Sequence, residues 1–299
     1  MTISSWYAQI IDRIHMTISI GKNANLYGVL IGQLMGMKDI QSDLVPKGKI
    51  TVSKQKYVSQ LGYYPSDKKR KIADLEIGST KTSHMYFKLV LYPSKFQSNE
   101  FSQFKEYLEI LFQIPYDLMF HTAKVSYIEL AADSMTYQFH TFIPFRPHIN
   151  LSEVWPLEVV EKSTVYLGSN LSKKRFCIYD KAKELADKKC AGKHKIRTRF
   201  EARLHHIGMA ASDIQEHLPN PFSCLEIANL AKAREASTSA EWHGFLDRCL
   251  EDGSAHALSQ CTKPVRKQYM SALRTCAVTW WNPDYLWQAL PRALDAIAP

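Results

Sequence analysis

The sequence predicts an α+β protein: a largely antiparallel sheet with one charged face and helices packed on the other, followed by a mostly helical C-terminal region. Three observations predict it. Segments such as YIELAAD, RFCIYD and RTRFEARL alternate apolar and polar residues with a period of two, the signature of a half-buried strand. A strong helical pattern, residues 98–114, interrupts the strands, and a shorter one follows at 181–189. After about residue 207 the signals turn helical. The length of 299 residues admits two domains. The change of character divides the chain into a mixed region, 1–206, and a helical region, 207–299, suited to DNA binding or another interaction.

The elements follow in order. RIHMTISI (13–20) and ADLEIG (73–78) alternate as strands, and MYFKLVLY (85–92) does so more strongly before Pro93 closes it. Ser98 opens a helix in which Phe101, Phe104, Tyr107, Leu108, Leu111 and Phe112 recur at helical spacing, and Pro115 ends it. KVSYIELAAD (124–133) is a strand, with a second, aromatic one around YQFHTFIPF. STVYLG (163–168) and KKRFCIYD (173–180) form a hairpin across GSNLS, helix formers occupy 181–189, and IRTRFEARLH (196–205) is another strand. Beyond it, Ser212 and Asp213 cap IQEHL, and SCLEIANLAKAREA, AEWHGFLDRCLEDG, VRKQYMSALRTCAVTWW and PDYLWQALPRALDAI all read as helical. Trp242, Trp280, Trp281 and Trp287 lie here, as core residues.

Composition excludes several classes. Hydrophobic residues at 45% and charged residues at 22% are ordinary for a globular chain, and 11% aromatics argue against disorder. The most apolar run, LYGVLIGQLMGM (26–37), falls short of the ~18 residues that a membrane helix needs. The N-terminus lacks a basic region before its apolar stretch, so a secretory signal is not expected and the cytosol is. The six cysteines have no zinc-ligand spacing and are expected as reduced thiols. His205 and His206 are neighbours on a strand, so at most one of them can face a given metal.

Charge is the first positive clue. The chain carries +9, which favours a polyanionic partner. Residues 47–71 hold eight basic groups against Asp67 alone, and residues 173–203 hold twelve against four acids. Lys68, Lys69, Arg70 and Lys71 in the first stretch, and Lys173, Lys174, Arg175 and Lys183 in the second, are the candidate DNA-binding residues. The alternative is a set of solvated loops and helix faces.

Splitting three strands into their faces is more informative. Ile128, Leu130 and Ala132 oppose Glu129, Ala131 and Asp133; Phe176 and Ile178 oppose Arg175, Cys177 and Tyr179; Phe200, Ala202 and Leu204 oppose Arg199, Glu201 and Arg203. The apolar faces are expected to pack on the 98–114 helix. The other face gathers carboxylates, arginines and a tyrosine. Carboxylates bind a hard divalent cation such as Mg²⁺ or Mn²⁺, arginines hold phosphate oxygens, and a tyrosine hydroxyl can be a nucleophile. The set fits metal-assisted phosphoryl transfer on DNA; an inter-strand salt-bridge network with a core tyrosine is the alternative.

At these same segments the chain resembles the rolling-circle replication initiation factor family of plasmids and filamentous phages. That family's pattern is an acidic strand R-[IL]-D-x-x-x-D, then G-S and a basic strand ending Y-[DN]-K-x-x-E, then R-x-E-x-R. YIELAAD, TVYLGSNLSKKRFCIYDKAKEL and RTRFEARL match it in order, and LVLYPSKF is similar to a family strand ending N-P-x-K-F. Coverage is roughly residues 85–205. The resemblance implies a DNA-nicking and strand-transfer enzyme in which Tyr179 attacks the origin phosphodiester, leaving a 5′-phosphotyrosine and a free 3′-OH. It implies Glu201, Glu129 and Asp133 as metal ligands, and Lys181, Arg199 and Arg203 as residues that hold the phosphate. Glu129 stands where the family has Asp, and Tyr127 where it has Arg. Residues 129 and 133 are about 13 Å apart on a strand rising ~3.3 Å per residue, which ranks Asp133 below the other two.

The partners this implies are single- and double-stranded origin DNA, a host helicase and polymerase, and a possible second copy of the chain. A non-catalytic, sequence-specific DNA-binding regulator, using the C-terminal helices in a major groove, is the competing function. A polyanion-binding protein without chemistry is a third.

Overall fold

The computed structural model describes residues 10–21, 57–64, 70–79, 85–97, 99–146, 152–156, 162–168, 172–187 and 196–299. The strands are β1 (Ile10–Gly21), β2 (Tyr57–Tyr63), β3 (Ala73–Ser79), β4 (Met85–Leu91), β5 (Lys124–Ser134), β6 (Phe142–Phe145), β7 (Ser152–Pro156), β8 (Lys162–Leu167), β9 (Lys174–Asp180), β10 (Thr198–Ala210) and β11 (Glu226–Asn229). The helices are α1 (Glu100–Phe112), α2 (Tyr116–Thr122), α3 (Lys181–Asp187), α4 (Ile214–His217), α5 (Leu230–Glu235), α6 (Ala240–Glu251), α7 (Ser254–Ser259), α8 (Lys263–Thr275), α9 (Pro283–Trp287) and α10 (Leu290–Asp295). The α+β class and the helical C-terminal region stand as expected. No helix among the described residues is long and apolar enough to cross a membrane. Among those residues the cysteines form no disulfide, and Cys177, Cys249 and Cys276 are buried.

The chain divides into two compact units, one of residues 1–9, 130–204 and 219–289, the other of 10–129, 205–218 and 290–299. Strands β5 and β10 each contribute residues to both.

In the second unit the strand order is β2-β3-β4-β1-β5-β10, and the β2–β3, β3–β4 and β4–β1 pairs are antiparallel. Helix α1 lies over this sheet. It buries Phe104, Leu108, Leu111 and Phe112, one stripe at helical period. Phe112 stacks on Phe87 of β4 with ring centroids 4.2 Å apart, and Phe104 packs on Tyr63 of β2 at 4.8 Å. The helix closes on Gln113 in the left-handed conformation (φ 53°), a common way to satisfy the last carbonyls. Pro115 then does more than end it: it is the N-cap of α2, a short helix that the sequence pattern does not show. Tyr116 is fully buried and donates its hydroxyl to the Ile297 carbonyl at 2.9 Å.

In the first unit the order is β5-β10-β9-β8-β7, with antiparallel register across β10–β9, β9–β8 and β8–β7. The apolar face of β9 and β10 lies under aromatic residues of this same unit. Phe200 packs on Phe142 at 5.6 Å and Trp281 at 5.0 Å, and Phe176 meets Phe222 at 6.2 Å. The cover therefore comes from Phe142 and from the C-terminal part, where only the helix at 98–114 was expected.

SCLEIANLAKAREA also departs from its helical reading. Glu226–Asn229 is strand β11, paired antiparallel with β6 in a separate two-stranded sheet, and only Leu230–Glu235 is helix. The Asn229 side chain accepts from the Lys232 backbone N–H at 3.0 Å, so one residue ends the strand and caps the helix. Behind this small sheet, Phe145, Trp242, Phe245, Leu246, Leu258 and Leu273 form a buried cluster.

Candidate active site

The site is built on the second face of β8, β9 and β10. Register sets Tyr179 between Arg199 and Thr164, Cys177 between Glu201 and Tyr166, and Arg203 beside Arg175. Alternation puts these residues on one face, which is the charged face read from the sequence. It is not a solvated face. Glu201 is 2% exposed, and Arg175 and Arg199 are each 8% exposed. Charges this deep must be paired and hydrogen-bonded.

They are. Arg203 Nη2 donates to Glu201 Oε2 at 2.6 Å, and the Tyr179 hydroxyl donates to Glu201 Oε1 at 2.9 Å. Lys181 Nζ donates to the Tyr179 oxygen at 3.4 Å and to Glu184 at 2.5 Å. Tyr179, Lys181, Glu201 and Arg203 therefore form one continuous network. Burial, then the charge of Glu201, pushes the Tyr179 phenol well above its ordinary range, with Arg199 opposing. The phenol keeps its proton and aims it at a carboxylate.

Asp133 lies elsewhere in the network. Arg199 grips it bidentately, Nε to Oδ1 at 2.6 Å and Nη2 to Oδ2 at 2.7 Å. Both side chains are buried, so this pair holds the end of β5 to β10.

In the second unit, Asp12 and Glu129 bring carboxylate oxygens within 4.8 Å of one another. Glu129 is 4% exposed. It accepts from the Tyr127 hydroxyl at 2.7 Å and has Arg13 Nε at 3.9 Å. Asp12 accepts from Ser94 Oγ at 2.6 Å. His15 and His205 flank the Tyr127 ring at 4.6 and 4.8 Å. Burial, then Lys88, Arg13 and His205, lowers His15 to about 3, so it is neutral at physiological pH. Asp12 was not among the sequence candidates. Its signal was present, a charged pair Asp12-Arg13 within an otherwise apolar strand.

The DNA-binding candidates are scattered. Lys68 and Lys69, with the basic residues 47–56, lie outside the described residues. Arg70 bonds Glu100 at 2.5 Å and the Lys95 carbonyl, and Lys71 pairs with Asp74 at 2.9 Å. Arg175 lies over the Tyr166 ring at 4.0 Å, while Lys174 points to the opposite face and reaches Cys224 Sγ at 3.6 Å. Lys183 donates its backbone N–H to Asp180 at 2.9 Å, and Lys173 is exposed.

Beside Tyr179 a cavity of about 390 Å³ opens among Ser163, Thr164, Tyr166, Cys177, Asp180, Glu184, Asp187 and Arg203.

Residues 156–252 match the family described as replication initiation factor. That stretch contains the motifs with Tyr179, Lys181, Glu201 and Arg203, whereas YIELAAD and LVLYPSKF lie before it. A solved rolling circle replication initiator protein from Geobacillus stearothermophilus is similar with a TM-score of 0.42 at 10% identity, covering 83% of this chain and 98% of that chain. No curated protein matches the sequence.

Proposed function

We propose that this protein initiates rolling-circle DNA replication, nicking one strand of its origin through Tyr179. The observation that carries the reading is the 2.9 Å hydrogen bond from the Tyr179 hydroxyl to Glu201, inside the matched region. The Tyr179 oxygen attacks phosphorus in line, and the bond to the 3′-oxygen breaks as the phosphotyrosine bond forms. The phenolic proton passes to Glu201, and the departing 3′-oxygen takes a proton from solvent. Lys181, 3.4 Å from the Tyr179 oxygen, and Arg203, bonded to Glu201, stabilise the charge that develops on the phosphate. Arg199 acts through Asp133, keeping β10 and its carboxylate in register.

The acids fit a hard divalent cation, Mg²⁺ or Mn²⁺: Asp12 and Glu129 offer oxygens at ligand spacing, and oxygen donors are what such ions take. Those two are the proposed ligands, ahead of Asp133, whose oxygens Arg199 holds. When bound, the ion supplies Lewis-acid withdrawal of charge from the phosphate.

Duplex origin binding falls to helix α8 and the exposed Lys173. Lys263, Arg266, Lys267 and Arg274 lie along α8, most of its side chains are exposed, and it follows α7 after a three-residue turn. That arrangement suits a helix entering a groove. The test is to incubate the protein with single-stranded origin DNA and Mn²⁺ and seek a covalent adduct on a denaturing gel. An adduct that Tyr179→Phe abolishes supports the reading; no adduct under any divalent ion overturns it and favours a non-catalytic regulator.

A further inference from the structure

The cavity beside Tyr179 carries an inference about what else the site holds. Its lining is unlike a phosphate site. It sets three acids, Asp180, Glu184 and Asp187, against Arg203, and Arg203 already bonds Glu201. A phosphate placed there meets like charge at short range. A neutral ring does not. The cavity's volume of about 390 Å³ falls within the usual range for small-ligand pockets.

Two features point to a flat heterocycle with hydrogen-bond donors on its edge. Tyr166 supplies aromatic surface, and Arg175 at 4.0 Å and Arg203 at 5.9 Å hold its ring; stacking on such rings is how single-stranded bases are gripped. The carboxylates are acceptors only, so they select a donor-bearing edge.

We propose that this cavity receives one unstacked nucleobase of the cleaved strand, next to the scissile phosphate, and prefers an amino-bearing base over thymine. The inference rests on the nicking function argued above and adds the recognition of one base to it. Cytosine and adenine present an exocyclic amine to the acidic rim, whereas thymine presents O4. Reaching the cavity requires the base to leave its stack, which a single strand allows readily.

The test separates the pocket from the chemistry. Binding of oligodeoxycytidine and oligothymidine of equal length is compared for the unaltered protein and for Asp187→Asn. Asp187 is exposed, so its substitution leaves folding undisturbed. The expected result is about tenfold tighter binding of the cytidine strand, the discrimination of one good base contact. Asp187→Asn brings that ratio toward one while thymidine binding stays constant. A ratio near one in the wild type, or a ratio that Asp187→Asn does not move, overturns the pocket. In parallel, covalent adducts are collected from oligonucleotides randomised on both sides of the cleavage site. Depletion of thymine at one flanking position supports the pocket, and adducts without bias at every flanking position overturn it while leaving the nicking function standing. If no adduct forms, the nicking function fails and the binding ratio alone decides the pocket.

Discussion

The Tyr179 hydroxyl donates to Glu201 at 2.9 Å across neighbouring antiparallel strands, and Glu201 in turn accepts from Arg203 at 2.6 Å. The phenol is thus joined to a carboxylate that is itself neutralised. Removing either partner breaks the network at its centre.

Tyr179→Phe is expected to abolish the covalent adduct while DNA affinity stays within a few fold, because a hydroxyl is lost but no positive charge. Tyr166→Phe is expected to keep most of the cleavage. Tyr166 lies among Arg175 and Arg203, whereas the Glu201 carboxylate takes its phenolic proton bond from Tyr179. Adduct formation measured on both variants decides between them. Cleavage by Tyr179→Phe with none by Tyr166→Phe reverses the assignment.

Glu201→Gln and Glu129→Gln are expected to remove cleavage, the first through the lost base and the second through the lost ion, and to retain, or slightly tighten, DNA binding, since each removes a negative charge. Calorimetric titration with Mn²⁺ should show weakened ion binding in Glu129→Gln. Full activity of the wild type in excess chelator would refute the metal's part.

Arg199→Ala strands the buried carboxylate of Asp133. Breaking a buried pair from one side typically costs about 3–5 kcal/mol, so unfolding by urea should show a loss of that order. Arg199→Met combined with Asp133→Leu should recover most of it. If Arg199→Ala leaves stability unchanged and cuts only DNA affinity, the arginine serves phosphate directly.

His15 sets a pH dependence of stability. Its folded value, about 3, lies below its ordinary 6.5, so the unfolded chain binds the proton more readily. The stability it contributes is present above about pH 6.5 and is lost as pH falls toward 3. His15→Gln should flatten the decline in melting temperature over that window. Parallel curves for wild type and variant would show that other groups cause it.

Two-residue alternation is a local property of the backbone, and for that reason the sequence alone determined which residues share the charged face. Period alone places Tyr179, Glu201 and Arg203 together, because β9 and β10 each keep it and the observed register preserves it. The α1 stripe was legible for the same reason. What partners across long separations was not legible. Nothing near Asp133 announces Arg199, 66 positions away, so which strands an inter-strand salt bridge would join cannot be read from the sequence. Asp12 and Glu129 meet only because β1 lies beside β5. The choice between helix and strand for Glu226–Asn229 was likewise made by its pairing with Phe142–Phe145; short apolar segments carry weak intrinsic preference, and packing against a partner outweighs it. Sequence period determined the faces of this protein, and tertiary pairing decided which charges on those faces are bound to one another.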